Sequence, residues 1–192
     1  MSISKKTALL GINDLKIYPI TNDDDSAFSV GDGIDVPGIR QLSVTFDIDE
    51  KELTGDEKTL AVSSKIKAVS FTSEYAELSL DVLAALSGGS VSSNSDNSSA
   101  SFSLSDSDNT PYFQLQAKID GTDSISGGDC HICIYKAKVT AMPINGVEGD
   151  FATYTFDGKG VFTSHKFNSS KSKLIDIDFN SVAVDLSPKT SA

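Results

Sequence analysis

Four side chains are the only soft metal ligands in the chain: Cys130, His131, Cys133 and, further on, His165. A zinc centre would need them to converge on one tetrahedron. The first three lie in the apolar run CHICIYKAKVTAM, which reads as a strand, and a strand sends alternate residues to opposite faces. Cys130 and Cys133 therefore point apart and cannot readily bridge each other, while His165 falls in a turn-like stretch. His131 and Cys133 share a face, but no nucleophile elbow or related signature accompanies them. Oxygen ligands cluster at Asn22, Asp23, Asp24, Asp25 and Ser26. A calcium loop would place further ligands and a glycine where Ala27 and Phe28 stand, so an ordinary acidic loop is expected. Gly88-Gly89 follow an apolar helical run and would end a helix, whereas a phosphate-binding loop begins one. No catalytic residue, metal or cofactor is expected, and the chain reads as a binding or structural protein with no enzymatic role.

The 192 residues carry 16 Lys and Arg against 27 Asp and Glu, a net charge of -11. A free-standing nucleic-acid binder needs the opposite sign, because phosphate neutralisation supplies most non-specific affinity. An acidic surface past which nucleic acid slides remains compatible. There is no Trp, and Phe (10) outnumbers Tyr (5), so a core of Phe, Val, Ile and Leu is expected in one domain over residues 1–192. Two free thiols suit a reducing compartment. Asn13 and Asp14 interrupt the first apolar run too early for a signal peptide, and no run is long enough to cross a membrane. Synthesis and assembly in a cytoplasm follow as the expectation.

The elements that must carry these residues are mostly short strands between turns rich in Ser, Asn, Asp and Gly. Residues 1–9 read as a polar arm, and Asn13–Ile20 as the first strand. From Val36 to Gly89 the chain gives a strand, a charged excursion, a second strand and a helix. In the first of these strands Leu42, Val44, Phe46 and Ile48 alternate with Ser43, Thr45, Asp47 and Asp49, one face dry and one wet. Residues 47–59 are too polar for core and too long for a tight hairpin, so a protruding loop is expected. In the return strand, 61–74, Lys65 and Lys67 share a parity with Val69 and Phe71, which calls for a bulge or for a strand that runs beyond the core. Ser79 caps a helix whose apolar residues include Leu80, Leu83, Ala84 and Leu86, and which should plug an open end or side of the sheet. A flexible Ser/Asn-rich loop (87–100), a short edge strand (Ala100–Ser105) and strands at Tyr112–Ile119 and Cys130–Met142 follow. Phe151–Thr163 is either one strand with glycine bends or a hairpin through Asp157-Gly158, and Leu174–Leu186 is the last strand. About eight strands and one helix result.

The order VPGI, ELTGDEK, SKIKAVSF, LSLDVLAALSGG, with GDFATYTFDGKG later, resembles the major tail tube proteins of long-tailed bacteriophages with non-contractile tails. The likeness spans residues 10–165 and is most specific in its first half. It implies a β-sandwich or barrel-like subunit with a flanking short helix and protruding loops. In such proteins six subunits close into a ring, rings stack into a tube, and viral DNA passes through the channel without specific binding. The implied partners are copies of the chain itself and the tape measure, tail terminator and tail tip proteins of a virion tail, with no membrane. On this reading Gln41, Ser43, Thr45 and Asp47 face the channel as an acidic or neutral wall, and Glu50, Lys51, Glu52, Asp56, Glu57 and Lys58 contact the next ring. Two other readings stand beside it: the inner tube of a contractile injection system, and a carbohydrate-binding or adhesin-like module. The module would need an exposed aromatic platform, for which Tyr112, Phe113 and Tyr135 are the contributors available.

Overall fold

A computed structural model describes residues 9–94, 96, 98–121, 128–168 and 170–191. The described elements are, in chain order, β1 (Leu9–Asp23), β2 (Phe28–Val30), β3 (Ile34–Asp35), β4 (Ile39–Gly55), β5 (Lys58–Tyr75), α1 (Leu80–Ser87), β6 (Ser90–Ser93), β7 (Ala100–Ser103), β8 (Phe113–Gly121), β9 (Asp129–Ala141), β10 (Tyr154–Val161), β11 (Lys166–Phe167), β12 (Lys171–Ser172) and β13 (Ile175–Asn180). The protein is mostly β, with one short helix, as its composition and alternation require. Apart from Leu9, the expected N-terminal arm lies outside the described residues, as do residues 122–127 of the glycine-rich turn.

Nine strands form one antiparallel sheet in the order β2-β1-β8-β9-β10-β5-β4, with β3 also on β1 and β13 also on β9. The sheet is curled. β3 pairs with β1 near one end, the Val36 N–H continues that contact by donating to the Leu15 carbonyl, and β4 at the other end begins at Ile39. Three intervening residues span at most about 13 Å between flanking Cα atoms, so the two ends of the sheet are drawn together. Inside the curl, Leu15, Ile17, Val69, Phe71, Phe113, Leu115, Ile134 and Phe156 make one core, and Leu42 and Val44 pack on it from β4.

The helix forms where the sequence places it. Ser79 Oγ accepts from the Val82 N–H at its start, and Gly88 ends it with φ +85°, where a Cβ would lie 2.3 Å from the Asn109 carbonyl oxygen. Leu83 and Leu86 are buried; Leu80 and Ala84 are half-buried. Val82 and Leu86 enter the main core, while the helix also rests on β1, β3, β9 and the small β6–β7 pair, so it closes one side of the curl.

Three sequence expectations need correction. Residues 47–59 are not a loop: β4 and β5 stay paired to Gly55 opposite Lys58, and the chain reverses through Asp56 (φ 50°) and Glu57 (φ 60°). That is a tight two-residue turn of the left-handed kind that matches strand twist. Charged residues disguised these strands because both faces of this ribbon are wet. The Ser/Asn-rich stretch 87–100 is likewise not all loop, since β6 pairs with β7, placing Val91 opposite Phe102, and the Ser92 and Ser101 hydroxyls lie 2.9 Å apart. Of the two readings of Phe151–Thr163 the single strand is formed, as β10 over Tyr154–Val161, which lies between β5 and β9. The last strand stops at Asn180 rather than Leu186, and the residues beyond it cross the sheet without pairing as a strand.

Candidate functional site

The β4–β5 ribbon leaves the core near Asp47. There Asp47 sits opposite Ala68 but Ile48 sits opposite Ile66, so Lys67 is an extra residue and bulges. This resolves the mismatch of Lys65 and Lys67 with Val69 and Phe71: the strand both bulges and outruns the core. A second bulge, at Leu60, lies between the Leu53–Ala61 and Thr54–Thr59 pairs. Cross-strand partners share a face. The face that carries Leu42 and Val44 into the core therefore continues outward as Phe46, Ile48, Ile66 and Val62, exposed by 43%, 61%, 42% and 53%. The Glu50–Ser64 pair separates Ile48 and Ile66 from Val62, and all four apolar side chains keep about two fifths or more of their surface open to solvent. The other face presents Asp49 opposite Lys65 and Lys51 opposite Ser63, with Leu53 nearer the tip. Glu50 and Glu52 stand on the same face as the apolar residues, Glu52 opposite Val62, while Asp56 and Glu57 make the turn and Lys58 begins β5, so the proposed ring-contact residues lie together on this arm.

At the base of the arm the opposite face of the sheet carries the proposed channel residues. Gln41, Ser43 and Thr45 are exposed and Asp47 is half-buried. Their β5 neighbours are Glu74, Thr72 and Ser70, and next across on β10 come Thr155, Asp157 and Lys159. Ser43, Thr45, Ser70, Thr72, Thr140, Asp157 and Lys159 line a shallow depression of about 230 Å³. Every acid on this part of the face has a partner. Lys159 Nζ lies 2.9 Å from Asp47, and Ser70 Oγ donates to both of its carboxylate oxygens at 3.0 Å. Thr72 donates to Asp157 at 2.6 Å, and Arg40 Nε lies 3.4 Å from Glu74. The Lys159 and Ser70 hydrogen bonds hold the Asp47 carboxyl below its ordinary range. The face is one of hydroxyls with two ion pairs, and Asp157, held by a hydroxyl alone, leaves it weakly acidic.

The residues with chemical potential are spent on structure. Cys130 and Cys133 are free and fully buried. His131 Nε2 lies 3.1 Å from the Val184 carbonyl and 3.2 Å from Asp129, whereas His165 Nδ1 is 3.1 Å from the Asp24 carbonyl with its ring on Phe167. Asp23 accepts from Lys136 and from the N–H groups of Ser164 and His165. Asp24 holds its own turn through Ser26 and Ala27. Among the described residues no group of three or more His, Cys, Asp or Glu is arranged to hold a metal. Nor is there an aromatic platform at Tyr112, because Phe113 and Tyr135 are 0% and 4% exposed and belong to the interior.

These internal carboxylates set the response to acid. Burial by itself would raise Asp23, Asp129 and Asp176, but in each case hydrogen bonds to the charged form outweigh it and lower the carboxyl. A depressed folded-state value contributes stability above the unfolded value, lost as pH falls through the folded one. The urea midpoint is therefore expected to decline as pH drops below about 4, and Asp129→Asn should flatten that decline. A midpoint independent of pH from 6 to 2 would contradict this. Asp35 works in the opposite sense: burial and the nearby Asp14 raise it, so its ionised form costs stability at neutral pH.

Among the described residues no helix is long and apolar enough to cross a membrane, which says nothing of crossing by strands. No family model matches the chain, and no curated protein matches it. Solved structures do match. One, a chain from the cryo-EM structure of the anti-feeding prophage baseplate, six-fold symmetrised, covers 90% of this chain and 97% of its own, with 9% identity and a TM-score of 0.34. A likeness at that score leaves the strand order itself as the description of the fold.

Proposed function

We propose that the protein is a structural subunit of a phage-type tail tube, assembling into stacked six-fold rings around a channel for DNA. The observation that carries this reading is the arm: a long ribbon projecting from the core with a row of apolar side chains on one face. Burying that row takes a partner, and in a homopolymer the partner is the next copy. A second support is the β4 edge, whose backbone pairs only with β5 on its inner side and is open to strand addition by a neighbour. The polar face at the base of the arm suits a channel wall. A duplex carrying about one negative charge per 1.7 Å would adhere to a basic surface, and here the lysine is compensated by Asp47.

In this reading the ring contacts run through Glu50, Lys51, Glu52, Asp56, Glu57 and Lys58 together with the apolar row. The partners are other copies, the tape measure, terminator and tip proteins, and DNA in transit. The protein would reside in the virion tail, after synthesis in the cytoplasm of a bacterial host. The carbohydrate-module reading loses its support with the burial of Phe113 and Tyr135. Negative-stain electron microscopy of the concentrated protein tests the proposal. Hollow tubes or six-fold rings are the expected result, and closed non-tubular oligomers or a chain that stays monomeric on seeding with tail tips would overturn it. A surrounding sheath in the native particle would shift the assignment to the inner tube of a contractile system.

A further inference from the structure

The outer face of β8 and β9 is lined by side chains that a sequence reading would leave in water. Gln114 and Gln116 are 0% and 2% exposed, and Asp129 is fully buried. What covers them is the C-terminal segment beyond β13, residues 182–191. The groove holds this segment through its main chain. Gln114 donates to the Lys189 carbonyl at 2.8 Å and accepts from the Lys189 N–H at 2.9 Å. Gln116 donates to the Ser187 carbonyl at 2.7 Å, the Val184 N–H donates to Asp129 at 2.7 Å, and His131 Nε2 meets the Val184 carbonyl at 3.1 Å. Two side chains of the segment add anchors: Leu186, 6% exposed, and Lys189, whose ammonium reaches Asp178 and Asp176. At the far end Ser191 exchanges hydrogen bonds with the Phe28 backbone.

We propose that this face is a peptide groove, and that residues 182–191 of a second copy can occupy it in place of the chain's own, tying neighbouring subunits by exchanged straps. The reasons lie in how the strap is held. It belongs to no strand of the described sheet, so its release breaks side-chain bonds to main chain, the Lys189 ion pairs, the Ser191 bonds to the Phe28 backbone and one apolar anchor while every ladder of the sheet stays closed; such local opening costs less than global unfolding. The link from β13, Ser181 to Ala183, is exposed and can be re-aimed at about 3.3 Å per residue. A neighbour's strap is chemically identical, so exchange restores every bond it breaks. The exchange does not depend on the tube reading and would operate in any close-packed array of copies.

Cys133 packs with Phe28 and Tyr135 in a small cluster, and the strap's Ser191 holds the Phe28 backbone, so the Cys133 thiol is a probe for release of the strap. It lies on the grooved face opposite Gln116 on one side and Asp176 on the other, between the bonds that pin the strap. It is fully buried, and that burial pushes its thiol up to about 12. Cys130, three residues earlier, faces the other way and serves as an internal control.

The test mixes two full-length variants, Gln114→Ala with Gln116→Ala, which keeps the strap and loses the groove, and Leu186→Glu, which keeps the groove and loses the anchor. Sedimentation should show a one-to-one complex in the mixture and none in either variant alone. Independently of whether the double variant folds, a fluorescent peptide VAVDLSPKTS should bind the Leu186→Glu chain. Maleimide should label Cys133 of that chain at least tenfold faster than in the wild type, with Cys130 unchanged and the peptide restoring protection. Absence of peptide binding would overturn the groove. Peptide binding without a mixed complex, where both variants show native circular dichroism, would overturn exchange between copies.

Discussion

Gly158→Ala is expected to destabilise the protein by about 3 kcal/mol or more, near or beyond the upper end of what overpacking costs. For a chain of this size that corresponds to a fall in Tm of roughly 6–12 °C. A Cβ at Gly158 would lie 2.2 Å from Phe71 Cζ and 2.8 Å from the Lys138 carbonyl oxygen. Neither can yield. Phe71 is 3% exposed and meets Phe113 and Phe156 edge-on at 6.4 and 6.2 Å, while the carbonyl belongs to the central strand β9. Gly160 is bound in the same way, by Ile134 and Val69 methyls at 2.5 and 2.6 Å. The ring of Phe71 thus fills the place of the side chain that its β10 partner lacks. Phe71→Leu combined with Gly158→Ala should cost less than the sum of the two single changes, a coupling readable from urea unfolding of the four chains. Strict additivity would mean that the clash with the carbonyl, not the ring, dominates.

The second large effect concerns assembly and should leave the subunit folded. Ile48→Ser together with Ile66→Ser removes two apolar residues that face each other on the arm, 61% and 42% exposed. Together they cover about one isoleucine's surface in the isolated subunit, so unfolding free energy should fall by about 2 kcal/mol, which circular dichroism and urea unfolding measure separately from assembly. If the row is buried between copies, each residue loses contact area on both partners of every interface, and polymerisation should fail across the concentration range where the wild type forms tubes. Light scattering and negative-stain microscopy read this directly. Normal tubes from the double variant would remove the apolar row from the contact and leave the charged tip to carry it.

The elements legible in the sequence are those whose signals are local. Ser79 and Gly88 bracket the helix, and Leu42 to Phe46 alternate because one face meets the core and the other does not. The arm was obscured because strand prediction depends on one face being dry, and from Asp49 to Lys58 neither is. The polar face of β8 hides its burial in the opposite way: Gln114 and Gln116 alternate with Phe113, Leu115 and Ala117 as a wet face would, yet the strap covers them. A signal did exist, in the apolar residues Val182, Val184 and Leu186, which alternate through the tail beyond the last strand. The pairing of Asp47 was out of reach, because it depends on Lys159, over a hundred residues away, arriving on the adjacent part of the sheet. Likewise the glycines at 158 and 160 read as bends until Phe71, Val69 and Ile134 were placed against them.

The bulge at Lys67 constrains how the arm can vary in length. Side chains on a ribbon change face with every residue, so one added or lost residue between the core and Ile66 would turn the apolar row to the opposite side of β5. Pairs of residues inserted in both strands near Asp56 and Glu57 would instead lengthen the arm by about 7 Å per pair in each strand with its faces unchanged. Variation among relatives of this chain should therefore collect at the turn, in even steps, and leave the count from Val69 to Ile66 alone.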